Sequence, residues 1–405
     1  MHITWSTAWR WGIGTAVVHR LILLVWMAAV WLLVAQPNQF ATPHSDPTVP
    51  LPTLDTPLEG AIFGVWRRWD AIHYLNLAQN GYRAADPGPT VFAPLTPLLI
   101  NLADWALPGT VDLAAMFMET LAFGIALTLL LKFCKSYYGD SGPARRVVIG
   151  MVLLPGAFLF YAPLSEAPYL AAAVAMFYFA TRRQWLRAGL AAALATLARS
   201  QGVLLGGILV LMAALDAWQT ETIWHRRLFR LFRGGGGLVI VLAAFVGFQA
   251  FRILQGLPAL DTIYRDYSFV FFVDPLHGLW INLRWIVEHP LAVSGNFDMW
   301  TLAYMLISSA LLLRRATLAS LPLIAFTFGH ILVFVTKINW IWGHYNEITY
   351  TQSLARYSLI LFPLVMLWTE HISRRSALVR TSVILALAGG QLILSALYAL
   401  GGGLV

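Results

Sequence analysis

The sequence predicts an all-α integral membrane protein that crosses the bilayer about eleven times, and three observations carry that prediction. Of 405 residues, 59% are hydrophobic and 11% charged, with a mean hydropathy of +0.69, too little polarity to cover one water-surrounded core. Apolar runs such as LILLVWMAAVWLLVA (21–35), LGGILVLMAAL (205–215) and LVIVLAAFVGF (238–248) recur along the whole chain. Basic residues stand in clusters between the runs: Lys132/Lys135, Arg145/Arg146, Arg182/Arg183/Arg187, Arg226/Arg227/Arg230/Arg233, Arg314/Arg315 and Arg374/Arg375/Arg380. The net charge of +8 therefore reads as cytoplasmic loops under the positive-inside rule and not as a nucleic-acid partner. A transmembrane β-barrel, with its short alternating segments, is excluded. Cys134 is the single cysteine, which rules out an intrachain disulfide and a cysteine-based zinc cluster.

The basic clusters also order the spans, because clusters on one side are separated by an even number of crossings. With the N-terminus and Arg20 inside, residues 17–36 cross outward, as a retained helix and not a cleaved signal, since Gln36-Pro37-Asn38 follows without a small-residue cleavage pattern. Lys132/Lys135 must then be reached by one crossing. Two segments compete for it. Residues 92–107 contain Pro94, Pro97, Asn101 and Asp104 and read as re-entrant or interfacial, whereas 111–131 spans. The first external loop becomes 37–110. The following spans are 147–162, 167–181, 188–199, 202–218, 235–254, 297–313, 316–335, 353–369 and 381–399, with further external loops at 255–296 and 336–352. Segment 188–199 is too short for the hydrocarbon core, so Arg199-Ser200-Gln201-Gly202 is expected below the outer surface, in a water-filled dip.

Polar chemistry gathers on that external side. In FGVWRRWDAIHYLNLAQNGY (63–82), a helix 71–79 led by Asp70 and closed by Asn80-Gly81 puts Asp70, His73, Tyr74 and Leu77 on one face, with Arg67 and Arg68 just before it. Trp66 and Trp69 suit the membrane interface. Asp70 has two readings, a helix N-cap or a carboxylate presented at the water boundary. Glu166, at an external turn, likewise reads as a cap or as a second acid of a shared site. Arg199, held below the surface, calls for an anionic partner. The stretch 336–357 adds Lys337, His344, Arg356 and Tyr357, interleaved with Trp340 and Trp342; Lys337 and Arg356 can bind a lipid phosphate. His330 lies within a span and reads as an interhelical hydrogen-bond partner. No spacing supports a metal site built from Asp70, His73, Glu166 and His344, so none is expected.

Arg68-Trp69-Asp70-Ala71, Tyr74-Leu75, Gly81-Tyr82, Phe92-Ala93-Pro94-Leu95-Thr96-Pro97, Ser165-Glu166-Ala167, Arg199-Ser200-Gln201-Gly202 and Arg356-Tyr357, in this succession, resemble the PIG-V family, mannosyltransferases of glycosylphosphatidylinositol assembly. The resemblance covers residues 60–205, with an echo at 350–363. The family's Phe-Phe-Pro-x-x-Pro and Arg-Ser-Asn-Gly stand here as Phe92-Ala93-Pro94-Leu95-Thr96-Pro97 and Arg199-Ser200-Gln201-Gly202. The compact chain points to a prokaryotic homologue in a plasma membrane. The resemblance implies a GT-C glycosyltransferase fold with its active site on the extracytoplasmic face. It implies a polyprenyl-phosphate mannose donor, a lipid-linked or other glycan or glycolipid acceptor, and inversion at the anomeric carbon. The family's essential acid falls on Asp70. Substrate contacts are expected from Arg67, Arg68, Trp69, His73, Tyr74, Glu166, Arg199, Gln201, Lys337, His344, Arg356 and Tyr357. With cations at the leaving phosphate a divalent ion is not obligatory, so no cofactor is required, although a divalent cation is compatible with the chemistry without being supported by any spacing. The competing reading is a secondary transporter or flippase of lipid-linked sugars, which would carry its charges near the bilayer midplane.

Overall fold

The computed structural model describes residues 4–34, 51–268, 270–293, 296–341 and 344–401. The structure is 78% helical, and among the described residues five helices are long and apolar enough to cross a membrane: Trp5–Val34, Val111–Tyr138, Ser200–Thr220, Trp224–Leu254 and Ala377–Ala399. It is a helical membrane protein.

α1 (Trp5–Val34) is one 30-residue helix whose buried stripe is Ala8, Gly12, Ala16, Arg20, Leu23 and Met27, at spacings of three and four. α2 (Pro57–Ile62) opens on a capping box in which Thr56 and Glu59 satisfy each other's backbone N–H. α3 (Asp70–Asn80) and α4 (Leu95–Ala106) follow, and then α5 (Val111–Tyr138), which is capped by Thr110 and ended by left-handed Gly139. Leu75 and Ala78 of α3 pack against Ile100 and Ala103 of α4 and Val111, Ala114 and Ala115 of α5. α3 is thereby clamped within the protein, with its other face free to line a cavity. α4 has only 12 residues, about 18 Å of helix, and leaves Leu98, Leu102 and Trp105 exposed on one side.

α6 (Ser141–Val152), α7 (Glu166–Ala180), α8 (Trp185–Ala198) and α9 (Leu204–Thr220) come next, followed by α10 (Trp224–Gly235) and α11 (Gly237–Leu254). The stretch expected as the loop 255–296 holds α12 (Leu260–Ser268), β1 (Val270–Phe272), α13 (Pro275–Glu288) and α14 (Pro290–Val293). α15 (Phe297–Arg314) and α16 (Leu321–Val335) lead to β2 (Lys337–Ile341) and β3 (His344–Ile348). α17 (Leu354–Ser358), α18 (Phe362–Ser373) and α19 (Ala377–Ala399) complete the chain. The strands form an antiparallel sheet in the order β1-β2-β3, with Val270 opposite Asn339 and Phe272 opposite Lys337. This short sheet is an addition to the expected helical architecture. The core centres on α5 and α7, where Phe133, Phe177, Phe326 and Phe362 meet edge-on or tilted at centroid distances of 5.4–5.9 Å.

Four expectations are corrected. Arg20 does not mark the inner end of the first span: α1 begins at Trp5, and Arg20 is buried in its middle, donating to the Tyr161 carbonyl at 2.6 Å. Trp66 is not an interface anchor, because it is 2% exposed and lies under the Arg20 guanidinium at 4.2 Å. Segment 147–162 is not one helix. It stops at Val152 and, past Pro155, becomes the 3-10 turn Ala157–Tyr161, since proline lacks the N–H and restricts its predecessor. Segment 353–369 likewise breaks between α17 and α18, which restarts with a proline in its first turn.

Candidate functional site

A cavity of about 1150 Å³ lies between α3, the turn after α8, α12, β2 and α17. Trp69, Asp70, His73, Tyr74, Arg199, Gln201, Lys337, Arg356 and Tyr357 all line it, so nine side chains expected from the sequence converge on one space. Apolar positions on the same wall include Val203, Leu204, Phe272, Val333 and Phe334.

Arg356 is the hub of the polar wall. Its Nη1 donates to Asp70 Oδ2 and its Nε to Glu166 Oε1, both at 2.5 Å, while Arg199 Nη1 reaches the same Glu166 oxygen at 2.6 Å. Glu166 is fully buried and stands behind the two arginines, so it orients them and does not itself line the cavity. Lys337 Nζ donates to the Tyr357 hydroxyl at 2.7 Å and lies 5.8 Å from the Tyr264 ring centroid. Three cations, Arg199, Lys337 and Arg356, thus share one cavity with the carboxylates of Asp70 and Asp86, while Glu166 backs two of them from behind.

Asp70 is the first residue of α3 and does not cap it: the capping position is Trp69, and no side chain caps that end. Its carboxylate is committed to Arg356 instead, which corrects the N-cap reading. Burial alone would raise the Asp70 carboxyl, but Arg356, as charge and as hydrogen-bond donor, with Lys337 and His73 beyond it, outweighs burial and holds it below the ordinary carboxylate value. Burial alone would lower Lys337; Tyr357, Tyr264 and Asp70 outweigh that and raise it. The Asp70 side chain is still 39% exposed and borders the cavity, so a ligand can touch it.

The backbone on both sides of the Asp70–Arg356 pair is held in costly conformations. Trp69, just before Asp70, has φ of +53°, and Ser353, which opens α17, has φ of +66°. Such a conformation costs on the order of 1–3 kcal/mol and persists only where the surroundings enforce it. For Ser353 the enforcement is visible. Asn282 Oδ1 accepts from Thr351 N at 3.0 Å, Asn339 Oδ1 from Gln352 N at 3.2 Å, and Asp298 from Ser353 N and Ala355 N at 2.9 and 3.0 Å. Side chains of α13, β2 and α15 therefore grip the segment that carries Arg356. Asn282, Asp298 and Asn339 were not expected from the sequence, nor was Tyr264. The only signal for them is the polar and aromatic content of the external stretches that hold three of the four.

The remaining expected contacts lie elsewhere. Arg67 makes a two-pronged ion pair with Asp112, at 2.7 and 2.5 Å, and donates to the Pro52 carbonyl at 2.6 Å, outside the cavity. Arg68 donates to the Ala399 carbonyl at 2.7 Å and ties α3 to the end of α19. Both arginines are framework and not cavity wall. The side chain of His344 lies outside the described residues. His330 pairs with the Tyr169 hydroxyl and the Phe326 carbonyl, as an interhelical contact should. Among the described residues, no three of His, Cys, Asp and Glu stand together as a metal-binding group. Compared with models of known protein families and with curated proteins, the chain matches none.

Proposed function

We propose that this chain is an inverting glycosyltransferase of the PIG-V type and GT-C fold, with about eleven crossings of a prokaryotic plasma membrane. In this reading it moves mannose from polyprenyl-phosphate mannose to a glycan or glycolipid acceptor on the extracytoplasmic face. The observation that carries the reading is the convergence of the accessible Asp70 carboxylate with Arg199, Lys337 and Arg356 on a single cavity, which Asp86 also lines. At about 1150 Å³ the cavity exceeds the usual small-molecule range of roughly 300–1,000 Å³ and has room for two substrates.

Asp70 takes the proton from the acceptor hydroxyl. The hydroxyl oxygen bonds to the anomeric carbon from the face opposite the phosphate, and the bond from that carbon to the phosphate oxygen breaks. The electron pair stays on the polyprenyl phosphate, where Arg199, Lys337 and Arg356 stabilise the charge. In the free protein Arg356 holds Asp70 as a weak base. The donor phosphate competes for Arg356 and thereby frees Asp70 for the proton. Gln201 and His73 are placed to orient sugar hydroxyls, and the exposed Trp69 to stack on a sugar ring. With these cations at the leaving phosphate, a divalent ion is not obligatory for the step.

One observation favours the flippase reading. Arg20 of α1 and Glu119 of α5 are 4% and 1% exposed inside long apolar helices, where coupling charges of transporters are found. The test separates the two. With purified protein, labelled polyprenyl-phosphate mannose and a panel of lipid acceptors, Asp70→Asn should lower turnover by about 10²–10⁴-fold while donor binding persists. Full turnover in Asp70→Asn removes the base role. Movement of intact donor across vesicles, with no transfer to any acceptor, decides for the flippase.

A further inference from the structure

Helix α10, sequence WHRRLFRLFRGG, takes no part in the cavity described above, and its two faces are placed unlike those of a water-exposed helix. Two of its arginines turn toward the protein. Arg230 Nε pairs with Glu221 at 2.7 Å, and Arg227 Nε donates to the Glu221 carbonyl at 2.5 Å with its guanidinium 4.5 Å over Trp218. Gly234 completes the packed side: a side-chain carbon there would meet Ala213 and Trp185. The aromatic residues turn away. Trp224, Phe229 and Phe232 are 62%, 68% and 75% exposed. The apolar surface they make runs on into exposed Val239, Leu242 and Val246 of α11.

Two arginines escape this internal pairing. Arg226 and Arg233 are exposed, lie seven residues apart on the same edge of the helix, and have no side-chain partner among the described residues. The four arginines of one cluster thus divide into two struts and two free cations at the border of an aromatic face.

We infer that α10 is a docking site for anionic phospholipids, with Trp224, Phe229 and Phe232 in the acyl boundary and Arg226 and Arg233 on the lipid phosphates. Water does not fit that face, since three exposed aromatic side chains within nine residues of one helix make an apolar patch that only an apolar phase covers. Depth is set by the chain itself: α10 meets α11 at Gly235–Gly237, so a helix that crosses the membrane anchors it at the bilayer edge. Charge complementarity then selects the headgroup. Two arginines at the surface favour an anionic over a zwitterionic lipid by on the order of 20–30-fold.

The experiment uses the full chain in vesicles of phosphatidylcholine with and without phosphatidylglycerol, reading phosphatidylglycerol molecules retained in native mass spectra and the shift in unfolding temperature. Phosphatidylglycerol should be retained and should stabilise, less so as salt rises. Arg226→Gln/Arg233→Gln should lose most of that preference, and Arg226→Lys/Arg233→Lys should restore part of it. Because both side chains are free, the glutamine variant has no pairing to lose and should fold. Arg145→Gln/Arg146→Gln removes equal charge elsewhere and should keep the preference. The inference is overturned if the α10 variant retains phosphatidylglycerol undiminished, or if the control loses as much. It is equally overturned if inorganic phosphate at matched concentration displaces the lipid.

Discussion

Arg356 reaches Asp70 across 286 residues of sequence, Nη1 to Oδ2 at 2.5 Å, while its Nε serves Glu166 from the same guanidinium. This pairing joins the start of α3 to α17. It also makes Arg356 the residue whose loss is felt on both sides. Glu166 is fully buried, and without Arg356 it keeps Arg199 alone. Breaking a buried pair by removing one partner costs about 3–5 kcal/mol, so Arg356→Ala should unfold markedly earlier than the unmodified chain in detergent. Arg356→Lys should fall between them, since an ammonium lacks the planar fork that serves two carboxylates. The double variant Arg356→Ala/Glu166→Ala should recover part of the loss; strict additivity would show that the two are not coupled.

The pH behaviour follows from the signs at Asp70 and Lys337. Asp70 is lowered in the folded protein, so its contribution is complete above the unfolded value near ~3.9 and is lost as pH falls through a lower folded value. Lys337 is raised, so its contribution is complete below ~10.4 and is lost as pH rises through a higher folded value. Neither group changes charge between about pH 5 and 9. Under the proposed reaction, neither group should then put a step on donor affinity in that window, measured by titration of a polyprenyl phosphodiester analogue, whose own charge is constant there. A step near neutrality that disappears in Lys337→Gln would contradict the assignment.

How far the site was legible can be judged residue by residue. Asp70, Arg199, Lys337 and Arg356 stand out in sequence because charge is rare in this chain and apolar runs surround them. Their convergence was legible only as a shared side of the membrane. Arg20 misled because a cation at the start of an apolar run looks like an inner anchor; what moves it inward is its stack on Trp66 and the Tyr161 carbonyl, contacts more than 40 residues away. Arg67 misled in the same way, since its partner Asp112 sits 45 residues on, inside the next long helix. The helix breaks at Pro155 and before Pro363 were signalled locally but overridden by hydrophobic length. The sheet left no usable signal: β1 has three residues, and its partner lies beyond α13, α15 and α16.

Asp298 offers a test of positioning as distinct from contact. It does not line the cavity, yet it accepts from Ser353 N and Ala355 N and so sets the start of α17. Asp298→Ala leaves two backbone donors without their partner, at about 1–3 kcal/mol each, and lets Arg356 drift. Under the proposed reaction, donor affinity should fall although no donor contact is removed. Asp298→Asn, which keeps one acceptor oxygen, should retain more affinity than Asp298→Ala. Equal affinity in all three proteins would mean that Arg356 is positioned by its carboxylates alone.

Glycines two residues apart on α1 should respond in opposite directions. At Gly12 an added side-chain carbon would run into the backbone and hydroxyl of Thr128 on α5, whereas at Gly14 it would meet nothing within 4 Å. Close approach of small residues is how helices associate in lipid, where apolar burial supplies no drive between them. Gly12→Ala must push α1 and α5 apart, and overpacking of this kind costs about 1–3 kcal/mol. Gly14→Ala meets no obstacle and removes backbone freedom from the unfolded helix, a gain of up to about 1 kcal/mol. Thermal unfolding of the two variants in one detergent checks both signs at once. If Gly12→Ala is as stable as Gly14→Ala, the α1–α5 contact is looser than its geometry implies, and the stripe of Ala8, Gly12 and Ala16 is not what holds the first helix in place.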